Sequence, residues 1–172
     1  MRRHRLLGFA LALPLLADSV AGLHWTAPSQ WKDAGAAPMR AVTYQVPLAS
    51  GDHGAAECVV YFFGQGQGGP VRANMERWQS QFQTRAGKAA EAQIGNRVIH
   101  GLAVTTIDVS GDYTDMGGPL GKPSVVSGYR LLGAIIENPG GNLFLKFTGP
   151  IHTVTVNQPL FEKFLESFQK QH

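Results

Sequence analysis

Short apolar segments, each followed by a turn rich in glycine or proline, recur through most of this chain and limit its possible folds. Residues 39–47 alternate, with Val42, Tyr44 and Val46 on one side, as a half-buried strand does. Residues 57–63 are apolar on both sides, which is typical of a central strand. Because short turns join neighbouring antiparallel strands, this pattern predicts an antiparallel sheet.

The second half of the chain continues the pattern. Further strands are predicted at residues 98–109, 129–137, 143–147 and 153–156. Gly101 is expected to mark a bulge or bend inside the first of them. The turn at residues 138–141 predicts a hairpin, and residues 111–123 are expected to form a long loop.

Two amphipathic helices are predicted beside these strands. The first begins at Pro70, ends near residues 85–87, and has apolar side chains at helical spacing, namely Val71, Met75, Trp78 and Phe82. The second is expected to start at Asn157 as N-cap, with Pro159 in its first turn. Its inner face would consist of Leu160, Phe161, Phe164, Leu165 and Phe168. The predicted fold class is therefore α+β, an antiparallel sheet flanked by helices.

The N-terminus has the pattern of a secretory signal peptide. Arg2, Arg3 and Arg5 precede an apolar stretch at residues 6–17, which is shorter than the roughly 20 residues needed to span a bilayer. Small residues then allow cleavage after Ala21. The alternative is an uncleaved membrane anchor.

Cleavage at that point divides the chain into a signal peptide, residues 1–21, and one domain, residues 22–172. We expect the domain to be periplasmic or secreted, without stable membrane insertion. The full chain has a net charge of +3, from 15 basic and 12 acidic residues. Removing three arginines and Asp18 leaves about +1, and no basic stripe remains to indicate nucleic-acid binding. The single cysteine, Cys58, lies in an apolar run and is expected to be a buried, inert thiol.

A glycine loop precedes the first helix, and Gly64, Gly66 and Gly69 match the spacing of dinucleotide-binding loops. The required context is missing, because the next acidic residue after the helix, Glu91, lies in a polar connector and no further strand–helix unit follows. We therefore predict no cofactor. An anion or ligand contact at the helix N-terminus and a plain flexible turn both remain open.

Three polar residues are candidates to act with this loop. Asn74 and Arg77 are three positions apart and share a helix face, so they could bind the loop's carbonyls or a ligand. Lys146, on the predicted strand at 143–147, could assist Arg77 in ligand binding.

A metal site is possible at the processed N-terminus. If cleavage follows Ala21, His24 becomes the third residue, and the amine, two amides and the imidazole could form a square-planar Cu(II) or Ni(II) site. The other histidines lack metal-ligand spacing. No serine or cysteine has a recognisable catalytic context, so no catalytic residue is predicted.

The element order and the closing amphipathic helix resemble those of PsbP-like proteins, the fold of PsbP and of the Mog-type Ran-binding proteins. The chain also resembles a group of uncharacterised bacterial exported proteins. The resemblance rests on four segments: Trp25-Thr26-Ala27-Pro28; Met39-Arg40; Asn74, Arg77, Trp78, Gln81 and Phe82; and Lys146, Thr148, Gly149 and Pro150. It implies a non-enzymatic α-β-α sandwich and supplies no activity.

The leading hypothesis is an exported, non-catalytic binding or accessory module that engages an envelope protein or a small ligand. The alternatives are a small-ligand binder or enzyme that uses the glycine loop at residues 64–69, and metal binding at the mature N-terminus. A concave pocket lined by the loop, Arg77 and a titratable residue with a shifted pKa would favour the second hypothesis.

Overall fold

The computed structural model describes residues 18–116 and 121–171. Within them, eight strands form one antiparallel sheet: β3 (Lys32–Asp33), β4 (Arg40–Gln45), β5 (Glu57–Phe62), β6 (Phe82–Gln83), β7 (Ala92–Ile99), β8 (Leu102–Asp115), β9 (Ser124–Ile136) and β10 (Leu143–Pro150). The strand order is β3-β4-β5-β10-β9-β8-β6, and β7 pairs with the other part of β8. The predicted antiparallel sheet is confirmed.

One face of this sheet packs against α2 (Ile151–Glu166). The apolar cluster there combines alternate strand residues, such as Val60, Leu145 and Phe147, with Phe161 and Phe164 from the helix. The predicted inner face of the closing helix is thus correct, with Leu160 only partly buried at its edge. This face contains the larger of two apolar clusters in the described part of the chain.

The opposite face packs against α1 (Val71–Ser80), a helix of 10 residues. Met75 and Trp78 contact a smaller apolar cluster that includes Ile107 and Phe144. Because α1 is short, it covers the sheet around β8 and β9 and leaves part of β5 and β10 open. The predicted two-sided sandwich is therefore only partly formed.

The first helix ends earlier than its apolar spacing predicts. It stops at Ser80, and Phe82, the last residue of the predicted stripe, belongs to β6. Phe82 is nevertheless fully buried and stacks on Tyr113 at a centroid distance of 4.9 Å. The apolar stripe therefore predicted burial correctly and helical structure wrongly, because a strand can place the same side chain on the same core.

The prediction of one bent strand at residues 98–109 is wrong. The chain forms a hairpin of β7 and β8 there, with His100 and Gly101 at its turn and both at positive φ. Two adjacent residues at positive φ are typical of a two-residue hairpin turn, so Gly101 marks a chain reversal. The expected loop at 111–123 is also partly strand, since β8 continues to Asp115; residues 117–120 lie outside the described part.

The second helix starts earlier than predicted. The expected strand at residues 153–156 forms part of α2, whose N-cap is Pro150. Asn157 is inside the helix, where its amide donates to the Thr153 carbonyl at 3.0 Å and accepts the indole N–H of Trp31 at 3.3 Å. Pro159 is likewise within the helix, at an exposed position, so neither of these residues marks the start of α2.

A small sheet closes the molecule, formed by β1 (Asp18–Val20), β2 (Leu23–Trp25) and β11 (Gln169–Lys170). Trp25 stacks on Phe168 at 4.9 Å and anchors this sheet to the α2 cluster. The predicted signal peptide lies mainly outside the described residues. Its last predicted residues form β1 and the turn at Ala21, whose carbonyl accepts a hydrogen bond from Asn138 at 2.9 Å.

Cys58 lies on β5 under the α2 cluster and is fully buried. Burial raises the pKa of its thiol well above the usual value, as the sequence position indicated. Neither α1 nor α2 has the length and apolar character that a helix needs to cross a membrane; this statement covers residues 18–116 and 121–171.

Candidate functional site

The open part of the α1 face holds two adjoining clefts, of about 190 and 390 Å³. They share Tyr61, Gln81 and Lys146. Tyr61 on β5 and Lys146 on β10 point to this face because strand side chains alternate, while their neighbours Val60 and Leu145 are buried on the other face. We call the smaller one the α1 cleft and the larger one the tyrosine cleft.

The position of α1 beside these clefts depends on one small residue in the sheet. Gly133 on β9 lies next to Lys146 in the strand register. A Cβ at this position would lie 2.7 Å from Trp78 and 2.8 Å from Ile107, which is too close. The absence of a side chain therefore lets Trp78 rest on the sheet and brings Gln81, just after α1, above Lys146.

Lys146 lies at the junction of the two clefts. Its Nζ donates to Oε1 of Gln81 at 2.8 Å and to the hydroxyl of Tyr113 at 3.1 Å. Both acceptors are neutral, and no carboxylate of the described residues forms a salt bridge with Lys146. Burial lowers the pKa of Lys146 to about 8, although the more distant charges of Asp115 and Glu57 act in the opposite direction.

The α1 cleft combines positive charge with aromatic walls. Arg77 and Lys146 supply the charge, and the walls include Tyr61, Phe63 and Trp78. No acidic residue lines this cleft among the described residues. Such a cleft favours a ligand that carries a negative charge on an apolar or aromatic body.

The tyrosine cleft has a mixed charge. Arg40 bonds to Glu57 at 3.4 Å and lies over the ring of Tyr61 at 5.5 Å, so much of its charge is already balanced within the protein. Asp115 lines the same cleft, next to β8's Tyr113. This cleft therefore lacks the uniform positive charge of its neighbour.

Two tyrosines of the larger cleft, Tyr61 and Tyr113, are held in their neutral form. Burial raises the pKa of Tyr113 far above its usual value, and it raises that of Tyr61 against the opposing charge of Arg40. Tyr113 stacks on Tyr129 at a centroid distance of 6.0 Å, and the Tyr129 hydroxyl bonds both backbone polar groups of Ala55. The phenol that contacts Lys146 is thus fixed in place and keeps its proton.

The six candidate ligand-binding residues do not form one site. Arg77 and Lys146 share the α1 cleft, whereas Gly66 and Gly69 line a separate open groove with residues of the turn after β9. Gly64, at φ +101°, faces the side chain of Gln67 and lines neither of these cavities. The glycine loop and the two cations are therefore in different places.

Asn74 connects the loop to the helix. It is buried, and its Nδ2 donates to the carbonyls of Gly68 and Pro70 at 2.8 and 2.9 Å. Its Oδ1 accepts a hydrogen bond from Arg77. Asn74 thus uses its amide to order the loop and to position Arg77, and it has no contact with the α1 cleft.

His24 lies in β2, opposite Ser19 on one side and Gln169 on the other. Its Nδ1 is buried and has no hydrogen-bond partner among the described residues. A copper site at the processed N-terminus would take the backbone amides of Leu23 and His24 as ligands, so it would disrupt the pairing of β2 in the small sheet. Metal binding by His24 stays a prediction.

Sequence reasoning missed Tyr113 and the contact of Gln81 with Lys146. Tyr113 is on β8, which reaches Lys146 only through the strand order β8-β9-β10. Gln81 lies just after α1, and it reaches Lys146 because Gly133 has no side chain and lets α1 pack closely on the sheet. One feature of the sequence did indicate the site, namely the position of Lys146. This lysine lies between Phe144 and Thr148 at alternate positions of a strand that is buried on both faces.

No protein-family model matches the chain, and no curated protein matches its sequence. Solved structures are similar in fold. Cyanobacterial PsbP (CyanoP) from Synechocystis sp. PCC 6803 matches with a TM-score of 0.55 and 13% identity, covering 96% of this chain and 99% of that chain. A Pseudomonas aeruginosa protein of unknown function matches with a TM-score of 0.53 and 14% identity, covering 76% and 82%. The chain therefore has a PsbP-like fold, and at these identities the likeness concerns the fold alone.

Proposed function

We propose that this protein is a non-catalytic binding module that holds a small anionic ligand with an apolar or aromatic body in the α1 cleft. One observation carries the proposal. Lys146 places a largely buried ammonium group in a cleft, with two neutral hydrogen-bond partners and no salt-bridged carboxylate. An ammonium group has three N–H donors, so a ligand anion could supply the ionic partner that the described residues do not.

Arg77 supports this assignment from the opposite wall of the cleft. It is exposed, and Asn74 orients it through the loop-to-helix hydrogen bonds. Two cations of different exposure can attract an anion from solvent and then hold it against the aromatic walls. The proposal places the ligand near Arg77 and Lys146, without a direct role for the glycines of the loop.

We also propose that the module acts outside the cytoplasm, as a binding or accessory protein of the cell envelope. The support is the N-terminal sequence, with its basic residues, short apolar stretch and possible cleavage after Ala21. N-terminal sequencing of the protein recovered from the envelope fraction of expressing cells would test this. A first residue other than Gly22 would contradict the predicted cleavage site.

Binding is tested by titrating the protein with benzoate and with benzylamine, which share a ring and differ in charge. We expect benzoate to bind and benzylamine not to bind, measured by isothermal titration calorimetry at pH 7. Lys146→Met and Arg77→Gln should each weaken benzoate binding at least about tenfold, since one charge-assisted hydrogen bond contributes roughly 1.5–3 kcal/mol.

Arg72→Gln is the matched control, because Arg72 is on the same helix and bonds only to Glu76 on the exposed side. It should leave benzoate binding unchanged. Equal binding of benzoate and benzylamine, or unchanged benzoate affinity in both cleft variants, would show that the α1 cleft is not an anion site.

A further inference from the structure

We infer that Lys146 is a nucleophilic amine that condenses with the aldehyde group of an anionic carbonyl compound bound in the α1 cleft. The inference rests on the proposed function, because the same cleft must first bind the compound's negative charge. It goes further, since it assigns a reversible covalent step to a residue that simple binding would use only as a charge.

The first support is the location of the amine. Lys146 lines both clefts, so a carbonyl carbon can approach Nζ from the α1 cleft while water leaves through the tyrosine cleft. Arg77 lines the α1 cleft as well and can hold a carboxylate while the aldehyde meets the amine. The charge that positions the compound and the group that reacts with it are thus two different residues.

The second support is a proton donor beside the amine. The Tyr113 hydroxyl lies 3.1 Å from Nζ, and Oε1 of Gln81 lies 2.8 Å from it on the helix side. Burial keeps Tyr113 protonated, because it raises the pKa of the phenol. Tyr113 therefore stays neutral and can relay a proton from Nζ to a hydroxyl that leaves beside it, while Gln81 orients the amine.

The reaction balances without an oxidant or a reductant. The neutral amine attacks the carbonyl carbon, a C–N bond forms, and a proton moves from nitrogen to oxygen to give a carbinolamine. The Tyr113 hydroxyl donates its proton to the carbinolamine hydroxyl while its oxygen accepts the N–H proton of Nζ, so the C–O bond breaks and water leaves without a phenolate being formed. The sum is amine plus aldehyde giving imine plus water.

The protonation state of Lys146 is compatible with this step. Burial lowers its pKa from 10.5 to about 8, so a substantial share of the amine is neutral at pH 7.5. An exposed lysine with the ordinary pKa has a neutral share roughly a hundredfold smaller at that pH. Lys146 should therefore react faster than the surface lysines even where the reagent reaches all of them.

The test uses 4-carboxybenzaldehyde with the full-length protein at pH 7.5, in the presence of cyanoborohydride, which reduces an imine to a stable secondary amine. Intact mass spectrometry should show one carboxybenzyl group per chain, and peptide mapping should place it on Lys146. We expect labelling there at least about tenfold faster than at Lys163, which is exposed on α2.

Three controls separate the reaction from incidental labelling. Benzoate should slow the labelling of Lys146 in the unaltered protein and leave Lys163 unaffected, which tests the site without any substitution. Lys146→Met should lose the single adduct, and Lys163→Arg should keep it. Arg77→Gln should slow labelling by 4-carboxybenzaldehyde more than labelling by benzaldehyde, which lacks the carboxylate.

The outcomes distinguish the two proposals. If benzoate binds but the adducts spread over surface lysines at similar rates, the binding function stands and the reactive amine is refuted. If benzoate neither binds nor protects and no selective adduct forms, both fail. Selective, benzoate-protected labelling of Lys146 would establish both.

Discussion

The two faces of the main sheet share the same strands and differ in how they are covered. On the α2 face, Trp31, Phe147 and Phe164 form a continuous aromatic cluster with ring centroids 5.4–5.6 Å apart. A cleft of about 260 Å³ lies only at the edge of this face, where α2 meets β7 and β8. On the α1 face, a 10-residue helix leaves the charged side chain of Lys146 in a cleft. The first face is packed as a core, and the second leaves a charge partly desolvated and accessible.

This difference shows how one sheet can separate stability from binding. Because strand side chains alternate, adjacent residues such as Leu145 and Lys146 have opposite surroundings within a single strand. The α2 face, which we call the closed face, supplies apolar burial, which is the main favourable contribution to the free energy of folding. We call the α1 face the open face. The open face can then carry an unfavourable buried charge without losing the fold.

The largest expected effect is on the closed face. Phe164→Ala should lower the free energy of unfolding by about 3–5 kcal/mol, because Phe164 is fully buried against Trp31, Tyr44 and Phe168. Denaturant unfolding followed by circular dichroism measures this. Val156→Ala, on the exposed side of α2, should change stability by less than about 0.5 kcal/mol. A loss below about 1 kcal/mol for Phe164→Ala would mean that the α2 face is not packed as a core.

A smaller effect of opposite sign is expected on the open face. Lys146→Met should raise the free energy of unfolding by about 1–2 kcal/mol at pH 7, because it removes a charge whose burial is unfavourable. The gain is limited by the hydrogen bonds to Gln81 and Tyr113 that are lost. A variant that is more stable yet binds no benzoate would sharpen the contrast between the faces, whereas a destabilised one would show that Lys146 serves packing.

The pH dependence of the free energy of unfolding is a second way to measure the effect of the buried charge on the open face. The pKa of Lys146 is about 8 in the folded protein and 10.5 when exposed, so between these values the unfolded chain binds more protons. Lys146 should therefore contribute a rise in stability of about 1–2 kcal/mol from pH 8 to about pH 9.5. Cys58 offsets part of this rise, because its buried thiol stays protonated in the folded protein and ionises in the unfolded chain. Near pH 10 the raised pKa values of Tyr61 and Tyr113 begin to act in the opposite direction. The rise should be absent in Lys146→Met.

The smallest effect concerns the contact that sets the cleft. Gly133→Ala would place a Cβ against Trp78 and Ile107, so we expect a loss of about 1–2 kcal/mol and weaker benzoate binding as α1 moves outward. Gly95→Ala is the control, since Gly95 is also in a strand and its Cβ would meet only the Thr106 hydroxyl, at 3.1 Å. Equal effects of the two substitutions on binding would contradict a specific role for the Gly133 contact.

Local patterns in the sequence predicted the strands and the burial of the closing helix. Alternation at Val42 and Tyr44 and the apolar spacing of Phe161, Phe164 and Phe168 depend only on which side of an element faces a core. Boundaries were less predictable, because Pro159 and Asn157 are common at helix starts but here lie within α2. Tertiary packing of Asn157 against Trp31 decides that case.

The site was predictable only in part. Arg77 and Lys146 were identified as candidates, but the prediction wrongly grouped them with the glycine loop, which lines a different cavity. Tyr113 is 33 positions from Lys146 and meets it through the strand order, which no local pattern specifies. Gly133 is important because it has no Cβ and so leaves room for Trp78. Its position in the sequence does not indicate this role.

The reactivity of Cys58 can be used to measure how often the α2 face opens. The thiol is the chain's only one, it lies beneath the α2 cluster, and it reacts only when exposed and ionised. The rate at which a thiol reagent modifies the intact protein therefore counts how often that face opens. The α1 cleft lies on the opposite side of the sheet from Cys58. Comparing the rate of Cys58 modification with and without a bound anion therefore shows whether ligand binding in the α1 cleft changes the opening of the α2 face.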